Sequence, residues 1–190
     1  FGGVATAFLW TITPSGSGGG PAPDDLVVHL PFEEGTGDNA FDVSGLGNDG
    51  YLLDGVAWID GQAGNGIETD GIDAITRVNH APSLHLGEND GDFTVAFWVN
   101  LQEDFTGNWR GIAGKGTSGD QRAFALFLRP SSNQIQFSIK TTADDKESGL
   151  SLSELTVGQW THLTLVKQGN ELIFYFNPLF ERRILLSAPT

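Results

Sequence analysis

Apolar residues along this chain come in short runs that alternate with polar ones, and Gly, Asp, Asn and Ser separate the runs. A period of two sends successive side chains to opposite faces of an extended strand, so the pattern predicts strands and not helices. Strands are expected near 4–13, 26–32, 50–53, 56–60, 65–69, 74–79, 92–101, 109–115, 121–129, 133–141, 160–168, 170–177 and 180–187. The one helical turn expected lies near 151–156, SLSELT. Several strands are apolar on both faces. In DFTVAFWVNL, Phe93, Val95, Phe97 and Val99 share one face, while Ala96 and Trp98 lie on the other. That suits a central strand covered on both sides, or one whose second face floors a groove. RAFALFLR and NELIFYFN read the same way, whereas LVVHLPF directs Leu26, Val28 and Leu30 inward and Val27 and His29 outward. Short strands at this spacing predict an all-β antiparallel sandwich.

Composition narrows the chemistry. The chain has no Cys and no Met among 190 residues. It therefore has no disulfide framework, thiol nucleophile or Cys-ligated zinc site. The missing initiator Met reads as a processed or partial chain. Net charge is −14, and it is uneven: residues 1–76 carry twelve acids and no Lys or Arg, against twelve acids and ten bases in the remainder. Such a surface repels phosphate backbones, which excludes nucleic acid as an expected partner, and it suits cations and a salty exterior. No stretch approaches the roughly 20 apolar residues of a membrane span. Three segments follow: an apolar stretch 1–13, a Pro-, Ser- and Gly-rich linker 14–25 and a domain 26–190.

From Leu26 onward the residues resemble a family. The stretch LVVHLPFEEGTG, then DVSGLGNDG, then GQAGNGIETDG, then DFTVAFWV resembles a laminin-G-like domain of the concanavalin A-like jelly-roll superfamily. VGQWTHLTLVKQGNELIFYFN resembles that family's late hairpin, except that Asn177 is followed by Pro178 where the family has Gly, so the turn must differ. The resemblance implies a secreted, non-catalytic jelly roll, often calcium-bearing, that binds glycans or proteins. It also implies a closing strand of the type Phe-x-Gly-x-Ile-Asp-Glu-Val-x-Ile-Trp beside the first strand, and FERRILLSAPT does not supply one. FGGVATAFLW resembles that strand moved to the front, giving the jelly roll an N-terminal β-strand extension. Val4, Phe8, Trp10 and Ile12 fall on one face with Thr6. Burying those four would contribute roughly 6–12 kcal/mol, an upper bound.

Candidate sites follow. Glu34, Asp38, Asp42 and Asp49 crowd one Gly-rich loop, and hard cations take six to eight oxygens, so with the resemblance they form the expected Ca2+ site. Trp109, beside Arg110 in TGNWRG, is the leading candidate for stacking on an acidic polysaccharide, followed by Tyr51, Trp58 and Arg129. His80 and His85 bracket NHAPSLH as a candidate metal pair, although a similar loop in the family holds none. The paired-carboxylate signature Glu-x-Asp-x-x-Glu of jelly-roll glucanases is absent and no nucleophile elbow occurs, so no enzyme is expected. The expected function is an extracellular or cell-surface subunit that donates residues 1–13 to a neighbouring copy and so builds a filament. The alternative is a carbohydrate-binding module of a secreted polysaccharide-active protein, with the N-terminal strand completing its own fold.

Overall fold

A computed structural model describes residues 4–6, 10–13, 26–86, 91–117, 121–144 and 146–190. Among these residues the chain is β-structure: β1 (Val4–Thr6), β2 (Trp10–Thr13), β3 (Val28–Leu30), β4 (Asn39–Ala40), β5 (Gly50–Leu53), β6 (Ala57–Asp60), β7 (Asn65–Thr69), β8 (Ile75–Val78), β9 (Phe93–Leu101), β10 (Arg110–Thr117), β11 (Gln121–Leu128), β12 (Gln134–Ile139), β13 (Glu147–Glu154), β14 (Trp160–Gln168), β15 (Glu171–Phe176) and β16 (Leu179–Leu185). A 3-10 turn spans Pro82–Leu84. No helix among the described residues is long and apolar enough to cross a membrane.

The largest sheet runs β16-β15-β14-β9; the far edge of β9 is shared by β1, which leads on to β7 and β6, and by β2, which leads on to β3. The opposing layer holds two smaller sheets, β10-β11-β12-β13 and β4-β5-β8. All named pairs are antiparallel. One continuous core joins the layers. Phe137 of β12 stacks on Phe174 of β15 at 4.9 Å, and Phe93 of β9 meets Phe124 of β11 at 5.9 Å. Beneath β3, Gly50 packs closely: a Cβ there would lie 3.1 Å from Leu30 Cδ1 and Thr76 Cγ2. The predicted alternation of β9 holds: Phe93, Val95, Phe97 and Val99 are buried, and Thr94, Ala96 and Trp98 are half-buried on the other face. Trp98 meets His162 edge-on at 5.0 Å.

The N-terminal segment pairs with both β3 and β9. β2 lies between β3 and β9: Trp10 pairs with Leu30, Thr11 with His29 and Ala96, and Ile12 with Val28 and Val95. β1 lies between β7 and β9, with Val4 opposite Thr69 and Leu101. The partners Val28, Leu30, Val95 and Leu101 are all core residues. These pairings are made here within one chain. Phe8 and the linker 14–25 lie outside the described residues.

Two local expectations are corrected. SLSELT is not a helical turn: Glu147–Glu154 is an edge strand on β12, because Gly149, Leu150, Ser151 and Leu152 continue a ladder that a bulge at Gln134 and Gln136 accommodates. Val27 is buried, not outward. At the β15–β16 turn, Asn177 takes φ 48°, a left-handed conformation that Asn tolerates, and its Oδ1 accepts His162 N–H at 2.9 Å.

Candidate functional site

The hairpin β6–β7 ends in Asp60 paired with Asn65, closed by Gly61 N–H donating to Gly64 O at 2.9 Å. The loop after β3 folds onto this tip. Asn65 Nδ2 donates to Glu33 O at 3.1 Å, and Asn65 N–H reaches Glu33 Oε2 at 3.4 Å. Two glycines permit the approach: Gly64 at φ 67° leaves space for the Glu33 carboxylate, and a Cβ on Gly35, at φ 65°, would lie 2.9 Å from Asn65 Nδ2. Trp58 is held from both ends. Its Nε1–H donates to Gly37 O at 2.7 Å, and its ring meets buried Phe32 edge-on at 6.4 Å. Between loop and hairpin lies an open groove of about 380 Å³ lined by Gly35, Trp58, Ile59, Asp60 and Asn65. Asp60 is exposed. Its carboxylate has no hydrogen-bond or ion-pair partner among the described residues. The groove thus offers a fixed, half-buried aromatic ring with a free carboxylate and an amide oxygen beside it, the combination that orients a polyol.

The acidic loop is assembled differently from the expected cation site. Asp42 Oδ1 accepts His29 N–H at 2.8 Å and Ser44 N–H at 2.9 Å; Oδ2 accepts Ser44 Oγ at 2.7 Å and Asn48 N–H at 2.9 Å. Burial raises the Asp42 pKa, but the Ser44 hydroxyl and the backbone N–H groups of His29, Ser44 and Asn48 outweigh it and hold the carboxyl below its usual 3.8. Asp49 Oδ1 accepts Asp42 N–H at 2.8 Å, and Glu34 Oε1 accepts Phe41 N–H at 2.7 Å. Asp38 enters through its carbonyl, which accepts Leu52 N–H at 2.8 Å. No three His, Asp or Glu side chains among the described residues are grouped to hold a metal. Both Asp42 oxygens are thus taken by N–H and O–H donors, whereas Glu34 Oε2 is buried with no hydrogen-bond partner.

Trp109 and Arg110 part company. Trp109 is 51% exposed and edge-on to Phe127 at 6.4 Å. Arg110 is buried; its Nη1 lies 3.5 Å from Glu103 Oε1 and its Nη2 donates to Asp104 O at 3.2 Å. Desolvation lowers its pKa against the pull of Glu103 and Asp104. The cation is therefore not presented beside Trp109 for an acidic sugar. Of the other sugar candidates, Tyr51 is 41% exposed on the β4-β5-β8 sheet. The sequence flagged Trp58 but not Asp60 or Asn65, which only the hairpin register brings to it.

Residues 73–178 match the Laminin_G_3 family, described as the Concanavalin A-like lectin/glucanases superfamily. No curated protein sequence matches the chain. Among solved structures, the chain is similar to the binding domain of Paraclostridial Mosquitocidal Protein 1, with TM-score 0.62, 13% identity and coverage of 95% of this chain and 40% of that one. It is also similar to residues 221–444 of an S-layer domain-containing protein from Clostridium thermocellum, with TM-score 0.54, 20% identity and coverage of 85% of this chain and 73% of that one. At such identities the likeness establishes the sandwich fold.

Proposed function

The chain belongs to the concanavalin A-like lectin/glucanases superfamily, and from that membership we propose a non-catalytic binding module that works outside the cell or at its surface and takes a neutral saccharide into the Trp58 groove. The groove carries the reading: a Trp ring anchored by its own indole N–H, with Asp60 and Asn65 at the rim. Asp60 and the net charge of −14 favour neutral sugars over acidic ones. The lining supplies one carboxylate, where acid–base glycoside hydrolysis needs two flanking the bond. A binding domain and an S-layer domain-containing protein share the fold, which suits a surface or extracellular place.

The test is retardation in native gels containing neutral polysaccharides, followed by calorimetry with oligosaccharides. Asp60→Ala, an exposed change, is expected to weaken binding at least tenfold, while Trp109→Ala leaves it unchanged. Binding lost with Trp109→Ala but kept with Asp60→Ala moves the site elsewhere, and no binding by the parent protein to any neutral glycan removes the proposal.

A second reading keeps the same strand pairings but makes them between chains, as a filament of donated strands. What favours it is the linker: twelve residues, Pro14–Asp25, where hairpin loops usually take two to five.

A further inference from the structure

His80 and His85 flank the 3-10 turn Pro82–Leu84, and the turn carries their rings together. Their Nε2 atoms lie 2.9 Å apart, and the rings are within 18° of parallel with centroids 4.8 Å apart. Both residues are exposed. Lys115 Nζ sits 3.5 Å from His80 Nδ1, on the far edge of that ring. An ammonium can only donate, so His80 Nδ1 accepts, His80 carries its proton on Nε2, and that N–H donates to His85 Nε2. Two imidazole nitrogens at this separation share a single proton position.

We propose that His80 and His85 form a two-imidazole site for a divalent transition metal that takes ligands at right angles, of the Cu2+ or Ni2+ class. Two donors about 2.0–2.1 Å from one ion and at right angles to each other stand about 2.9 Å apart, whereas a tetrahedral ion spreads them to about 3.4 Å. The 2.9 Å already present therefore matches the right-angle spacing. Imidazole suits these ions, and the chain has no Cys or Met to compete as a softer ligand. Its other imidazoles, on His29 and His162, are not fully exposed, and His162 lies against Trp98. Metal on His80 Nε2 requires the proton to move to Nδ1, where it displaces the Lys115 ammonium. Lys115 thus opposes the site, and its removal favours metal. The site is independent of the saccharide groove, since neither residue lines it.

The experiment is titration of the whole protein with CuCl2 in a non-chelating buffer, read by calorimetry and by electron paramagnetic resonance. The parent is expected to bind one Cu2+ with superhyperfine structure from two nitrogens. His80→Ala and His85→Ala should each weaken binding at least tenfold and reduce the signature, with melting curves confirming that these turn variants fold. Lys115→Met should tighten binding several-fold. Equal affinity and an unchanged spectrum in the His80→Ala/His85→Ala double variant would place the copper elsewhere and overturn the proposal. So would the absence of stoichiometric binding by the parent. Weaker binding by Lys115→Met would overturn the opposing role given to Lys115 in the proposal.

Discussion

Asp42 accepts four hydrogen bonds with its two carboxylate oxygens, and three come from backbone N–H groups of its own loop and of β3. An ionised carboxylate can accept at every one of these positions; an amide cannot, because its NH2 end would face N–H donors. Asp42→Asn is therefore expected to cost about 2 kcal/mol at pH 7 in urea denaturation, since bonds to a charged acceptor contribute about 1.5–3 kcal/mol. The pH dependence has a definite sign. The folded pKa is depressed, so the stability Asp42 contributes is fully present above its unfolded value of about 3.9 and is lost as pH falls through the lower folded value. Asp42→Asn should flatten that part of the stability profile below about pH 4. The acidic crowding was legible in the sequence. Its use was not, because DNAFDVSGLGND does not reveal which backbone amides turn toward the carboxylates. Arg110 teaches the same lesson: a charge beside an exposed Trp reads as a binding pair until Glu103 and Asp104 are seen to hold it inside.

Strands are where the sequence was most readable, since period-two burial depends on neighbours in the chain. β9, β11, β12, β14 and β15 lie where alternation places them. β13 was missed because Ser-x-x-Glu in SLSELT mimics a helix start, while the force that decides the matter is pairing with β12, whose partners lie 8 to 20 residues away. There Ser151 Oγ accepts Ile135 N–H at 2.9 Å, and Gln134 Nε2 donates to Ser151 O at 2.9 Å across the bulge. Gly149 is the point of closest packing in this ladder. A Cβ there would press into the ring of Phe137 and stand 3.2 Å from Ile184 Cγ2. Phe137 is fully buried and stacked on Phe174, so it cannot yield easily. Gly149→Ala is expected to destabilise by about 1–3 kcal/mol, read as a lower denaturation midpoint with unchanged slope. Phe137→Leu in the same chain should recover part of that loss, because the two changes act on one contact.

At the scale of the molecule, the question is what holds the two halves of the large sheet together. β9 is paired on one edge to β14 through eight residue pairs, and on the other to β1 and β2. Without residues 1–13, β3 would lose its only sheet neighbour among the described residues, and the far edge of β9 would stand open with its backbone groups unpaired. The fold was legible from Leu26 onward as a β-sandwich; the register of β2 against both β3 and β9 could be learned only from three dimensions. Deleting residues 1–13 is expected to leave a chain that aggregates or melts well below the intact protein. A synthetic peptide of residues 1–13 added in trans should restore a soluble monomer, since backbone pairing supplies affinity whether or not the strand is tethered. The intact protein separates the two ways of supplying that strand. Because β1 and β2 pair within one chain, light scattering is expected to show a monomer at high concentration whose mass does not change on dilution. Polymers that form linearly and persist on dilution would show the strand passing to the next copy, since exchange would require breaking every pair of β1 and β2 at once, and Pro14–Asp25 would then be the connection between subunits.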